Sequence, residues 1–300
     1  MAISKQNAIF TYIILVFIWA STPLAIVWSV ESMPALWSMV FRFLLALPLT
    51  FFILWLFKSP LPLHRQAWLS YLAGSCSLIV SQTFTYMATA YLSSGIIALM
   101  FGLAPIIAGL IGVLWFSLRL SAVQWLGMCI ALLGLGSICL FAQQSMHFSL
   151  YGIALMLMSV SVYCLSIYLV KKVNANVTPF AQATGSILCS TVMAICIVPF
   201  IWQNFPTQLP SLKSILALFY TVIMASIVAM FCYFKLVQNI SATTLSLTTV
   251  LTPIIALVIG AALNHEHLAL TTYAGVMVIF IGMALYFWRD ISAKLRLVSK

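Results

Sequence analysis

The sequence predicts an all-α integral membrane protein: ten transmembrane helices arranged as two five-helix inverted-topology repeats, with both termini cytoplasmic. Three observations predict it. Of the 300 residues, 64% are hydrophobic and only 5% charged, against about 25% charged in an ordinary soluble domain. The apolar residues gather in runs of about the 20 residues that a helix needs to cross a hydrocarbon core of about 30 Å. The chain also nearly repeats itself, because "LAPIIAGLIG" from Leu103 returns as "LTPIIALVIG" from Leu251.

Composition bounds the class. A chain this apolar cannot hide its surface in one water-soluble core, so lipid must solvate much of it. The net charge of +10 comes from 13 Lys and Arg against only Glu31, Glu266 and Asp290. These bases stand singly at the ends of apolar runs, the pattern of membrane topology and not the basic patch that nucleic acid requires. The expected partners are therefore the lipid bilayer and a small-molecule substrate, with no nucleic acid; the oligomeric state is left open. The seven cysteines lie within apolar runs without CxxC or Cys/His spacing, so no metal is expected and they read as small core residues.

Taken in order, the predicted spans are 8–29, 34–57, 67–91, 94–116, 121–142, 149–170, 179–202, 212–235, 242–263 and 269–288. The first is too long for a signal-peptide core and reads as an uncleaved span. The second holds Arg42, about 12 Å along the helix from Pro34 at 1.5 Å per residue. The third carries a polar stripe, Ser75, Gln82, Tyr86 and Thr89 with Thr85 alongside, which in lipid must face a cavity or bond to a neighbouring helix. Spans four and nine hold Pro105 and Pro253, and Thr244, Thr248 and Thr252 share a face of the ninth. The longest loop, Gln203 to Ser211, has no room for a soluble domain. With the N-terminus inside, Lys5, Lys58, Arg65, Arg119, Lys171, Lys172, Lys235, Arg289, Lys294, Arg296 and Lys300 fall on the inner side and only Lys213 on the outer. That asymmetry fixes the expected orientation.

At an offset of 148 residues the chain matches itself at Ser93/Ser241, Leu99/Leu247, Leu103/Leu251, Pro105/Pro253, Ile106/Ile254, Ile107/Ile255, Ala108/Ala256, Gly112/Gly260, Leu120/Leu268, Gly127/Gly275 and Gly134/Gly282. A proline and three glycines in fixed register separate this from chance similarity of oily segments. The repeats occupy residues 1–145 and 146–300. Each holds five spans, an odd number, so the second must enter the membrane upside down, an arrangement known in secondary transporters.

These residues resemble the paired EamA domains of the drug/metabolite transporter superfamily. The likeness rests on the segments from Leu103 to Gly136 and from Leu251 to Ala284, on "FIWASTPLAI" and "MVFRFLLALP" nearer the N-terminus, and on the order of all four. One departure stands out: the second copy keeps Glu266-His267-Leu268 where the first has Leu118-Arg119-Leu120. The resemblance implies an inner-membrane carrier of small metabolites, amino acids first, with a multidrug or nucleoside carrier as alternative. A membrane-embedded lipid-modifying enzyme is the rival of another class, and no paired catalytic residues support it. The family's cavity-lining helices place Trp19, Phe101, Tyr163 and Tyr233 at comparable depth, and with Gln82, Tyr86 and Thr248 they form the expected substrate site. Pro105 and Pro253 read either as matched hinges or as static kinks. Arg42 reads either as a contact for a substrate anion or as a structural cation. The glycines seven apart, Gly127/Gly134 and Gly275/Gly282, read as helix-packing faces. No Asp, Glu or His lies well inside a span and no phosphate loop is present, so neither a membrane-buried acid nor ATP hydrolysis is expected to drive transport, and no cofactor or catalytic residue is assigned.

Overall fold

The computed structural model describes residues 5–117, 119–141, 149–239, 248–264, 266 and 270–288. Helices α1 (Lys5–Ser29) and α2 (Ala35–Leu56) continue through Pro23 and Pro48. Helix α3 covers 65–88, with a π-helical turn, Cys76–Val80, between Arg65–Ser75 and Ser81–Ala88. Helix α4 (Ser94–Phe116) breaks at Leu103 and restarts at Ala104. Helices α5 (Ala122–Phe141), α6 (Leu150–Val173) and α7 (Pro179–Ile201) follow. Helix α8 covers 212–239 and holds a second π-helical stretch, Thr221–Val228. Helices α9 (Thr248–Asn264) and α10 (Leu270–Tyr286) complete the described chain.

Among the described residues, seven stretches are long and apolar enough to cross a bilayer, and α9 and α10 contribute shorter apolar ones. The fold is thus that of an all-α, multi-pass membrane protein. Helix is the natural outcome, because inside lipid it is the element that satisfies every backbone group within its own segment. Local chemistry sets the ends. Ser149, Thr178 and Ser211 accept backbone N–H groups of Tyr151, Ala181 and Ser214 at 3.2 Å each, capping α6, α7 and α8. Ser121 and Gln124 cap α5 reciprocally. Lys58, Ser117 and Asn174, after α2, α4 and α6, adopt left-handed φ of 48°, 54° and 48° and turn the chain out of each helix.

The principal helix pairings keep their pattern when the two halves are exchanged. Helix α1 packs on α8 as α6 packs on α3, α1 on α9 as α6 on α4, and α2 on α8 as α7 on α3. The pairs α2/α7, α4/α9 and α5/α10 map onto themselves. At the α2/α7 contact, Trp37 Nε1 donates to the Ile201 carbonyl (3.1 Å), Thr191 Oγ1 to the Phe43 carbonyl (3.2 Å), and the Ser59 and Thr178 hydroxyls meet (3.2 Å). Rising residue numbers in α2 meet falling ones in α7, so the two helices are antiparallel.

The α5/α10 pair is built on the glycines. A Cβ on Gly127 would lie 2.6 Å from the Gly282 carbonyl oxygen, and one on Gly134 2.8 Å from that of Gly275. Backbone meets backbone there, in antiparallel sense and reciprocally. Elsewhere hydroxyls join helices inside the bundle: Ser159 of α6 bonds to Ser81 and Thr85 of α3 (2.9 and 2.8 Å), and Ser70 of α3 donates to Gln182 of α7 (2.6 Å). The outer surface is apolar, with Leu133, Leu140 and Phe200 among its exposed residues.

Two sequence expectations are corrected. Only Cys164, Cys189 and Cys232 are buried, while Cys129 and Cys196 are exposed; in a lipid-facing protein a thiol is apolar enough for either side. Pro105 does not bend a continuous helix. It stands near the start of the restarted helix, where the absent N–H has no intrahelical partner to lose, whereas Pro253 lies inside α9.

Gly282→Ala is expected to cost about 1–3 kcal/mol of stability, because its Cβ would meet Ala131 N at 2.5 Å and Gly127 O at 2.6 Å, backbone atoms that cannot turn aside. Gly136→Ala, whose Cβ would meet nothing within 4 Å, is expected to leave stability unchanged or raised. Thermal unfolding of the two variants in detergent separates these outcomes.

Candidate functional site

A cavity of about 240 Å³ lies among seven helices, lined by Trp19, Thr22, Pro23 and Ile26 of α1, Arg42 of α2, Gln82 of α3, Ile97, Ala98, Phe101, Gly102 and Ala104 of α4, Tyr163 of α6, Ala225 of α8, and Thr252 and Pro253 of α9. Pockets for drug-sized ligands run to about 300–1,000 Å³, so this one suits a smaller molecule. Its wall carries two aromatic pairs: Trp19 against Tyr233, ring centroids 5.5 Å apart, and Phe101 edge-on to Tyr163 at 6.1 Å. Pro23 and Pro253 each remove the helical hydrogen bond to the carbonyl four residues back, beside the cavity.

Arg42 supplies the charge. Its side chain is 7% exposed. Nε and Nη2 reach Ser226 Oγ at 3.3 and 3.4 Å, and Nη1 has no partner. Ser226 stands in the π-helical stretch of α8 and donates to the carbonyl of Thr221, five residues back, at 3.0 Å. An arginine at the centre of a membrane helix costs about 2.5–3.5 kcal/mol on insertion scales. Both described carboxylates are engaged elsewhere: Glu31 with Lys213, and Glu266 with Ser94, Gly95 and Asn264. Gln82 Oε1 and Thr252 Oγ1 are likewise buried without a partner.

The structure brings Trp19, Gln82, Phe101, Tyr163, Arg42 and Pro253 to one cavity. Tyr233 joins through Trp19. Tyr86 does not line it: fully buried, it packs in a cluster with Met39, Phe43 and Ile79. Thr248 is buried at the start of α9, outside the lining. Pro105 follows the lining residue Ala104 without facing the cavity. Of the α3 stripe only Gln82 reaches the cavity. Thr85 bonds to Ser159 of α6, and Ser75 and Thr89 donate to backbone carbonyls one turn back in their own helix, so these hydroxyls are satisfied away from the cavity. Thr244 lies outside the described residues. Sequence reasoning missed Thr22 and Pro23, visible as the centre of "FIWASTPLAI", and Ser226, which reaches Arg42 from a π-helical turn that no sequence pattern announces.

At one end of the bundle a chain of polar contacts ties α1, α8, α9 and α4. Lys213 Nζ meets Glu31 Oε1 at 2.7 Å and lies 4.7 Å from the Trp28 ring centroid. Trp28 Nε1 donates to Asn264 Oδ1 (2.8 Å), and Asn264 Nδ2 to Glu266 Oε1 (3.0 Å). That carboxylate also accepts Ser94 N (3.0 Å), Ser94 Oγ (2.7 Å) and Gly95 N (3.1 Å). It caps the N-terminus of α4, where backbone donors lack helical partners and negative charge is favoured.

Comparison with known proteins accounts for this architecture. A model described as the EamA-like transporter family matches residues 6–140 and again residues 150–288. The chain belongs to that family. Its relatives include the uncharacterized inner membrane transporter YedA of Escherichia coli strain K12, 28% identical over 275 residues that cover 90% of this chain and 87% of that protein. Protein PagO of Salmonella typhimurium strain LT2 is 26% identical over 242 residues, 79% of each chain. One solved crystal structure superposes with a TM-score of 0.62 at 16% identity over 94% of this chain and 96% of its own, which speaks to fold alone. The EamA-family chain is accordingly a multi-pass inner membrane protein, and the comparisons point to a transporter, not an enzyme.

Glu266→Ala is expected to cost about 1.5–3 kcal/mol, the range for hydrogen bonds to a charged group, since it strips the cap from α4. Trp28→Phe removes one neutral bond and is expected to cost about 0.5–1.5 kcal/mol. Thermal unfolding in detergent checks the order; equal effects would remove Glu266 from the centre of this network.

Proposed function

We propose that the protein is a secondary carrier that moves small metabolites, amino acids first among them, across the inner membrane by alternating access. In this reading it has ten spans in two inverted repeats, residues 1–145 and 146–300, with both termini cytoplasmic. The observation that carries the proposal is the set of helix pairings that survives exchange of the halves around a cavity lined from both. Two similar halves in opposite orientation have two conformations of similar energy, related by swapping their roles, and the cavity between them is exposed to one side at a time.

Several features support the mechanism. The π-helical turns at Cys76–Val80 and Thr221–Val228 stand in corresponding helices, since the first, advanced by the repeat offset of 148, falls on 224–228 within the second. Such turns hold looser hydrogen bonding where a helix has to give. The Glu31, Lys213, Trp28, Asn264 and Glu266 network fastens one end of the bundle, which the distribution of Lys and Arg makes the outer end. This conformation is then the one latched outside. Residues 118 and 266 correspond under the offset, and leucine stands at the first, so the carboxylate of this latch has no counterpart in the sequence of the other repeat.

Purified protein in liposomes, loaded with an unlabelled compound and offered a labelled one, is expected to show counterflow for at least one class in a panel of amino acids, nucleosides and cationic dyes. Counterflow of none by folded protein would falsify the carrier reading. Pro105→Ala and Pro253→Ala are each expected to slow exchange more than they weaken binding at equilibrium; unchanged transport in both variants removes the hinge role from both, leaving Pro105 a helix start and Pro253 a static kink.

A further inference from the structure

The polar atoms left without partners in the cavity describe the molecule that would complete them. We infer that the Arg42 corner is a carboxylate subsite: the substrate presents a carboxylate to Arg42 Nη1 and a hydrogen-bond donor to Gln82 Oε1, while its apolar part lies against the aromatic wall. This rests on the carrier reading above and narrows it to a chemical class.

Arg42 is more than nine-tenths buried and lines the cavity. Two of its nitrogens share one hydroxyl, and the third has no partner. No described carboxylate faces it, because Glu31 is held by Lys213 and Glu266 by the start of α4. A guanidinium in a water-poor site recognises a carboxylate through charge-assisted hydrogen bonds in its own plane. Ser226 holds that plane from one edge and leaves the other for a ligand.

The charge count selects among anions. Among the described lining residues Arg42 is the one charged side chain, so the ligand group beside it is an anion, and a carboxylate brings the single negative charge that matches it. A cation meets only repulsion. Gln82 Oε1 accepts and cannot donate, so it calls for an N–H or O–H on the substrate, which an α-ammonium supplies. Thr252 Oγ1, unpartnered on the facing helix, serves either oxygen or nitrogen. Sites that leave buried polar groups unsatisfied by the wrong ligand discriminate strongly against it.

The test uses the full chain in liposomes and pairs of compounds that differ at the carboxylate: leucine and leucinamide, phenylalanine and phenylalaninamide, 4-methylpentanoate and 4-methylpentanamide, with uridine and ethidium alongside. At least one acid is expected to exchange with an apparent affinity at least tenfold above that of its amide. Arg42→Gln is expected to abolish that preference, Arg42→Lys to retain part of it, and Gln82→Leu to erase the advantage of leucine over 4-methylpentanoate. Amides that exchange as well as their acids, or an acid preference that survives Arg42→Gln, overturn the subsite. Exchange of uridine or ethidium with no acid overturns it too and leaves the carrier standing, whereas exchange of nothing sinks the carrier itself. If Arg42→Gln does not fold, the acid and amide comparison on the unmodified protein and the Gln82→Leu result decide between them.

Discussion

Everything in this structure answers to one constraint: the hydrocarbon core offers no water to satisfy a polar group. Backbone groups respond by forming helices, and hydroxyls respond by finding carbonyls or each other, as Ser81 and Thr85 do at Ser159. Glu266 responds by collecting four donors at the start of α4. Against that background the cavity is where unsatisfied groups gather. Nη1 of Arg42, Oε1 of Gln82 and Oγ1 of Thr252 are held buried and unsatisfied in one place. The hydroxyls of Tyr12, Tyr86 and Ser93 are also buried without a partner, each on a different element, whereas the cavity gathers three such atoms where a ligand would reach them.

The same constraint governs how the helices approach. Lipid tails are as apolar as leucine, so no hydrophobic force draws two spans together, and close packing has to do it. Gly127, Gly134, Gly275 and Gly282 bring α5 and α10 to backbone contact. That pair stands away from the cavity, which seven other helices line. Under the carrier proposal, this close-packed seam would hold the halves together while the helices around the cavity change their contacts.

Much of the candidate site was legible in the residues. Arg42 was conspicuous as a charge within an apolar run, Trp19, Phe101, Tyr163 and Tyr233 through the family resemblance, and Pro253 through its repeat. Tyr86 misled, because it stands only about 40° around the helix from Gln82 and spacing does not say which of the two meets a cavity. Gln82 faces the cavity, while Tyr86 turns into the packing with Met39 and Phe43. Pro105 and Pro253 looked equivalent because their flanks match, yet one opens a helix and the other lies within one. The difference comes from neighbours distant in sequence.

By itself the sequence determined the class of protein, the helical segments and the family. Those follow from apolar run length and from residues in a fixed register, both properties of a linear string read against a bilayer of known thickness. The tertiary structure decided which polar groups are spent and which are left over. Satisfaction is a relation between atoms far apart in the chain: Ser226 partners Arg42 across 184 positions, and Glu266 caps a helix 172 positions away. No local pattern encodes such a partner, and the chemistry of the cavity is what remains after all those partnerships have formed.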